Sequence, residues 1–246
     1  MAFGTISIWS TSLAKTTNFH LIIPACEGPF PVLYLLGGLS DDHTGYMRRT
    51  SIERYADAYK LLIVMPDGAR GFYVNDPRPG APQYEDYIAL ELIRYIDHWF
   101  PTIRNASGRA VAGLSMGGYG ALMLGMRHPD VFSVASSHSG AVRYARDNKL
   151  NVGDIPDGSA LAAVLPKGKY CLTTLAEEFK RSGKELAIRM DCGTEDFLLD
   201  ANRQIHAHFD KLGIPHEYHE PPGPHDWPYW DQHLPATLKF VMERLK

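Results

Sequence analysis

The chain reads as an α/β domain with a mostly parallel central sheet and helices on both faces, and three observations predict this. Short apolar runs alternate with longer amphipathic stretches along the chain, the pattern of strands buried on both faces and joined by crossover helices. Its 246 residues, 45% hydrophobic, can cover the core of one large domain. No internal repeat, low-complexity tract or linker divides it, so residues 1–246 are expected to form a single domain.

In chain order, apolar runs at 6–9 and 19–23 come first, separated by a short polar stretch, and predict an antiparallel hairpin at the sheet edge. Further strands are expected at 32–36, 61–65, 109–112, 131–136, 186–191 and 216–219. Ile88, Leu92, Tyr95, Ile96 and Trp99 recur at the spacing of one helical face. Tyr119, Leu122, Met123 and Met126 do the same, as do Leu198, Ile205, Phe209 and Leu212 ahead of Gly213, a suitable helix stop. A final helix is expected from about Tyr229. Residues 141–168 contain Asn151, Gly153, Pro156, Gly158, Pro166 and Gly168 with little periodicity, which predicts a loop or small lid.

Composition excludes several function classes. With 25 Lys+Arg against 28 Asp+Glu, the net charge is -3, and no dense basic run is present to track phosphates, so no nucleic acid partner is expected. The apolar runs are far shorter than the roughly 20 residues that span a bilayer, and residues 1–12 lack a basic start, so no membrane partner or secretory signal is expected. Cys26, Cys171 and Cys192 are odd in number and lack CxxC spacing, against both a disulfide framework and a zinc cluster. A cytoplasmic protein without cofactor or metal follows as the expectation. A homo-oligomer is left open.

Chemistry enters at Gly113-Leu114-Ser115-Met116-Gly117, a GxSxG pattern between a predicted strand and a helical segment. That is the sequence form of a nucleophile elbow, whose glycines permit a tight turn that exposes the serine hydroxyl. Alone the pattern is common, so partners must be found. A serine nucleophile needs a base, an acid that orients the base, and amides for the developing oxyanion. Asp196 follows the 186–191 strand, and His225 follows the last strand, giving the order Ser, Asp, His found in α/β-hydrolases. Asp196 also suits a helix N-cap ahead of Phe197, and the two roles are compatible. Glu195 competes for the acid role, and His43 and His138, each after a predicted strand, compete with His225. His206 and His208 point in different directions on a helical surface, and His219, His225 and Asp226 lack the spacing of a zinc site. The oxyanion donors are expected to be the amides of Met116 and of Leu39, the latter in the Gly37-Gly38-Leu39 loop. Gly38, His43, Tyr73, His138 and Trp227 are candidate linings of the substrate pocket.

These residues carry a resemblance. LSDDHTG (39–45), PDG (66–68), YED (84–86), GLSMGGYGAL (113–122), CGTEDFL (192–198) and GPHDWPYWDQHLP (223–235) are similar to the putative-esterase (esterase D-like) family of α/β-hydrolases, in the branch of the tributyrin esterase-like proteins. More distant kin are formylglutathione hydrolases, feruloyl esterases and bacterial mycolyltransferases. The resemblance implies Ser115 as nucleophile, Asp196 as acid, His225 as base and the Leu39 and Met116 amides as oxyanion hole. Gly37 departs from it, since many relatives carry His there, and residues 141–168 match poorly. The expected function is a serine carboxylesterase for short acyl esters. A carbohydrate (acetyl-xylan or feruloyl) esterase with the same triad and a non-catalytic binding protein on this fold are the alternatives.

Overall fold

A computed structural model of the chain describes residues 1–144 and 156–246. The strands are β1 (Ala2–Ser10), β2 (Lys15–Ile23), β3 (Val32–Leu36), β4 (Leu62–Pro66), β5 (Arg109–Leu114), β6 (Val134–His138), β7 (Ala187–Asp191) and β8 (Glu217–His219). They join in one sheet of order β1-β2-β4-β3-β5-β6-β7-β8. β1 and β2 pair antiparallel, as does β2 with β4, and every later pairing is parallel. This is the mostly parallel sheet with an antiparallel edge hairpin that the apolar runs predict, and the fold is that of an α/β-hydrolase. β3, β4, β5 and β6 are buried at every position, and β3 and β4 read as unbroken apolar runs rather than as alternation, whereas β6 buries Ser136, Ser137 and His138.

The helices are α1 (Gly45–Arg49), α2 (Ile52–Ala56), α3 (Tyr84–Asp86), α4 (Ile93–Trp99), α5 (Met116–Arg127), α6 (Pro156–Val164), α7 (Leu172–Ser182), α8 (Leu199–Leu212) and α9 (Trp227–Arg244). α3 and α4 are joined through π-helical turns over Tyr87–Leu92. One apolar layer, with Tyr34, Val64, Tyr87, Tyr119, Leu122, Phe132 and Phe209, packs on one face of the sheet. On the other face, Leu33, Leu35, Ile63, Ala112, Leu234, Leu238 and Val241 pack β3, β4 and β5 against α9. No helix among the described residues is long and apolar enough to cross a membrane.

Three expectations change. The sixth strand begins at Val134 rather than 131, because the Val131 and Phe132 amides bond to the His128 carbonyl and close a turn after α5. Trp99 leaves the helical face it was assigned to and is 65% exposed, whereas Ile88, Leu92 and Ile96 are buried; the π turns shift the rotational phase of the residues that follow. Within 141–168, residues 145–155 lie outside the described residues, but Pro156–Val164 forms a helix where a loop is expected. Its Ala-rich sequence favours helix without presenting a two-faced pattern to read.

Candidate active site

The elbow is built by two backbone necessities. Ser115 sits between β5 and α5 with φ +53° and ψ -114°, a conformation an L-residue rarely adopts. It persists because the surrounding chain holds both sides of the residue: the Ser115 amide donates to the His138 carbonyl at 2.9 Å, and its carbonyl accepts from the Ala141 amide at 2.9 Å. A side chain on Gly117 would run into the Leu36 carbonyl, and one on Gly113 into the Gly117 backbone, so both glycines of GxSxG are sterically required.

His225 reaches this serine because of where α9 begins. The Asp226 carboxylate caps that helix by accepting from the Tyr229 amide at 3.0 Å, and Pro228 occupies its first turn. The residue just ahead of the cap is thereby fixed in position. Its Nε2 lies 3.0 Å from Ser115 Oγ and its Nδ1 2.8 Å from Asp196 Oδ2. The other oxygen of Asp196 accepts the Leu198 amide at 2.8 Å. Burial opposes ionisation of Asp196, but the hydrogen bond and charge of His225, with the Leu198 amide, outweigh it and hold the carboxyl below its ordinary value. An ionised Asp196 against Nδ1–H leaves Nε2 free to accept the serine proton.

Glu195 faces away from the imidazole. Its carboxylate accepts from the Thr194 hydroxyl at 2.7 Å and from the Gly223 amide, so it ties the loop after β7 to the loop carrying His225. The expected cap at Asp196 also differs in detail. α8 starts at Leu199, and Asp196 makes a side-chain turn ahead of it instead of occupying the cap position.

Ser115 opens into a cavity of about 430 Å³, whose lining includes Gly38, Leu39, Met116, Ala141, Phe197 and Trp227. Leu39 and Met116 therefore border the same space as the serine. Met116 is the first residue of α5, where a backbone N–H has no acceptor one turn back. Phe72 forms part of the wall and stacks on Tyr144 with ring centroids 3.8 Å apart. Phe197, 68% exposed, leans on the His225 ring at 4.7 Å, and Trp230 meets that ring edge-on at 4.9 Å.

Three expected pocket residues lie elsewhere. Tyr73 is fully buried, packed against Gly68 and Gly120, and its hydroxyl donates to the Gly37 carbonyl at 2.9 Å. It braces the Leu39 loop from behind and has no surface to offer a substrate. His43 packs edge-on against His20 of β2 at 4.6 Å, outside the cavity. His138 uses both ring nitrogens in a buried network, Nδ1 with Asp191 at 2.9 Å and Nε2 with the Thr237 hydroxyl at 2.7 Å. It has no free nitrogen with which to serve as a base. Asp191 also pairs with Arg189 and accepts from the Tyr229 hydroxyl at 2.8 Å, and these partners hold its carboxyl far below the usual range despite complete burial. Sequence reasoning missed this second His–Asp pair; the alternation of Arg189 and Asp191 inside an apolar strand was the signal.

A doubly wound sheet with a strained serine at a strand-to-helix turn, bonded to a histidine from the far end of the chain, defines a serine hydrolase of the α/β-hydrolase class. The chain belongs to the family described as "Putative esterase", whose model matches residues 10–241. It is 26% identical to an acetyl esterase of Caldicellulosiruptor saccharolyticus, with 98% of each chain covered. Among solved structures it is similar to FphF, a fluorophosphonate-binding serine hydrolase of Staphylococcus aureus, at 28% identity, TM-score 0.89 and 98% coverage of each chain. It is also similar to a ferulic acid esterase, at 26% identity, TM-score 0.86 and coverage of 99% of this chain and 98% of the other. The protein is an enzyme that hydrolyses carboxylic esters.

Proposed function

We propose that the enzyme removes short acyl groups, such as acetyl and butyryl, from ester substrates through an acyl-enzyme on Ser115. The 3.0 Å contact of His225 Nε2 with Ser115 Oγ, inside a small and largely apolar cavity, carries this reading. Ser115 Oγ attacks the ester carbonyl while His225 takes its proton, and the Leu39 and Met116 amides receive the negative charge on the carbonyl oxygen. His225 then gives the proton to the departing alcohol. Water enters and attacks the acyl carbonyl while His225 takes its proton, and as the acyl–Oγ bond breaks His225 returns that proton to Ser115 Oγ, releasing the acid and restoring the serine. Asp196 keeps the imidazole in the tautomer this sequence needs.

Replacing Ser115 by Ala should lower turnover of p-nitrophenyl acetate on the order of a million-fold, with folding unchanged by circular dichroism. A variant that kept most of its activity would remove Ser115 from the reaction. On a series of p-nitrophenyl esters, kcat/KM should be highest for acetyl to butyryl and fall for longer chains, the expected behaviour of the cavity lined by Phe72, Leu114 and Trp230. A second reading, an esterase of acetylated or feruloylated polysaccharide, is supported by the similarity to a ferulic acid esterase and by the aromatic rings of Phe197 and Trp227 along the cavity. Acetate released faster from acetylated xylan than from a p-nitrophenyl ester would favour it. The reading places the enzyme in the cytoplasm, supported by three cysteines that are all free thiols, and cell fractionation tests that placement. It also treats the chain as one domain, for which a single cooperative melting transition is expected.

A further inference from the structure

Away from the active site, the last turns of α8 meet the chain entering β8. His206 and Asp210 stand one helical turn apart on α8, and the Gly213 cap returns the chain so that His216 faces them. His206 Nδ1 and His216 Nε2 are 2.8 Å apart. Asp210 places one carboxylate oxygen 3.5 Å from His206 Nε2 and the other 4.0 Å from His216 Nε2. The His216 side chain is only 3% exposed, and its Nδ1–H donates to the Ile214 carbonyl at 2.8 Å. That bond fixes the tautomer: Nε2 of His216 presents a bare lone pair toward His206. Tyr218 stacks on the His206 ring at 4.4 Å, and Phe209 meets the His216 ring edge-on at 5.3 Å, so packing sets the direction of both rings.

We propose that His206 Nδ1, His216 Nε2 and the Asp210 carboxylate form a binding site for one divalent transition-metal ion. Two imidazole nitrogens facing each other at this distance must share a hydrogen or a metal. In the metal-free protein, the hydrogen sits on His206 Nδ1. When the ion binds, that hydrogen moves to His206 Nε2, toward the Asp210 oxygen beside it, so both rings stay neutral and Nδ1 becomes a ligand. The backbone carbonyl behind His216 is the kind of outer partner that orients a ligating histidine. At metal–nitrogen bonds of about 2.05 Å, a 2.8 Å separation corresponds to an angle near 90°, whereas a tetrahedral ion asks for roughly 3.3 Å. The pair therefore suits the tetragonal or octahedral preference of nickel(II) or copper(II) better than that of zinc(II), with water completing the exposed side. Asp210 is 62% exposed and free to turn the remaining distance. The site joins the end of the helix that begins after Asp196 to the strand that leads toward His225. Its effect is to fasten the β8 edge without taking part in ester cleavage.

The test uses the full chain, stripped with chelator and titrated with NiCl2, with ZnCl2 and CaCl2 for comparison. The expected result is saturation at one nickel per chain, tighter than zinc, with calcium inert. At a hundredfold excess over Kd, Tm should rise by roughly 5–10 °C. His206→Gln and Asp210→Asn should each fold, keep ester turnover, and weaken nickel binding at least tenfold, while His219→Gln on the exposed end of β8 binds as the parent does. Binding without saturation at one equivalent, or a His206→Gln variant that binds nickel as tightly as the parent, would overturn the assignment. In either case, the two histidines would share only a proton.

Discussion

At the scale of single residues, the site rests on carboxylates that sit side by side in sequence and divide the work. Asp196 contacts the imidazole, and Glu195 contacts the loop that carries it. Asp196→Asn should lower kcat by about 10⁴, because an amide at that position no longer favours the Nδ1–H tautomer. Glu195→Gln should stay within about tenfold of the parent, since it disturbs only the placement of the Gly223 turn. Both are read from steady-state turnover of a p-nitrophenyl ester. The reverse order would transfer the orienting role to Glu195. Ser115, Asp196 and His225 were legible in the sequence because each stands at a strand end with its own local signal: GxSxG, a polar stretch closing an apolar run, and a His-Asp-x-Pro helix start. Tyr73, expected to line the pocket, is instead buried behind it. Its burial depends on Gly68 and Gly120, which come near it only in three dimensions.

At the scale of elements, β6, β7 and α9 are locked together by His138, Asp191, Arg189 and Thr237. Asp191→Asn leaves the buried Arg189 guanidinium without its counter-charge. A loss of about 3–5 kcal/mol in unfolding free energy is expected, measured by urea titration at neutral pH. Thr237→Val should cost about 1–3 kcal/mol, because it strands His138 Nε2 without a partner. Neither residue touches Ser115, so turnover per folded molecule should be retained. The central strands β3 and β4 were easy to find in the sequence since their two-sided burial yields continuous apolar runs. The π turns at Tyr87–Leu92 were not, because Ile88 and Leu92 keep a spacing that also suits an α-helix, and the helix at Pro156–Val164 leaves no periodic trace.

At the scale of the whole molecule, Glu85 links α3 to the end of α5 and to the start of α7. It accepts from Arg127 at 2.6 Å and from the Tyr170 hydroxyl at 2.8 Å, and meets His128 at 2.8 Å. His128 is thus part of a half-buried cluster. Burial works against the charged form of Glu85, but these partners prevail and lower its carboxyl to about 2 from an ordinary 4.5. A carboxyl depressed by folding stabilises fully above its unfolded value, and the contribution disappears as pH falls through the folded one. Stability should therefore decline between pH 4.5 and about 2. Glu85→Gln should weaken the protein at pH 7 and flatten the decline in that window, as read from urea midpoints across pH. An unchanged slope would show that other carboxylates govern acid unfolding.

Ser115, Asp196 and His225 each leave the sheet by a separate loop, after β5, β7 and β8. The cavity they face is also walled from outside those loops, with Phe72 ahead of α3 and Ala141 after β6. Part of the wall is thus carried by stretches of chain separate from those three loops. Replacing Phe72 should therefore reshape the cavity while leaving the His225 contacts with Ser115 and Asp196 in place.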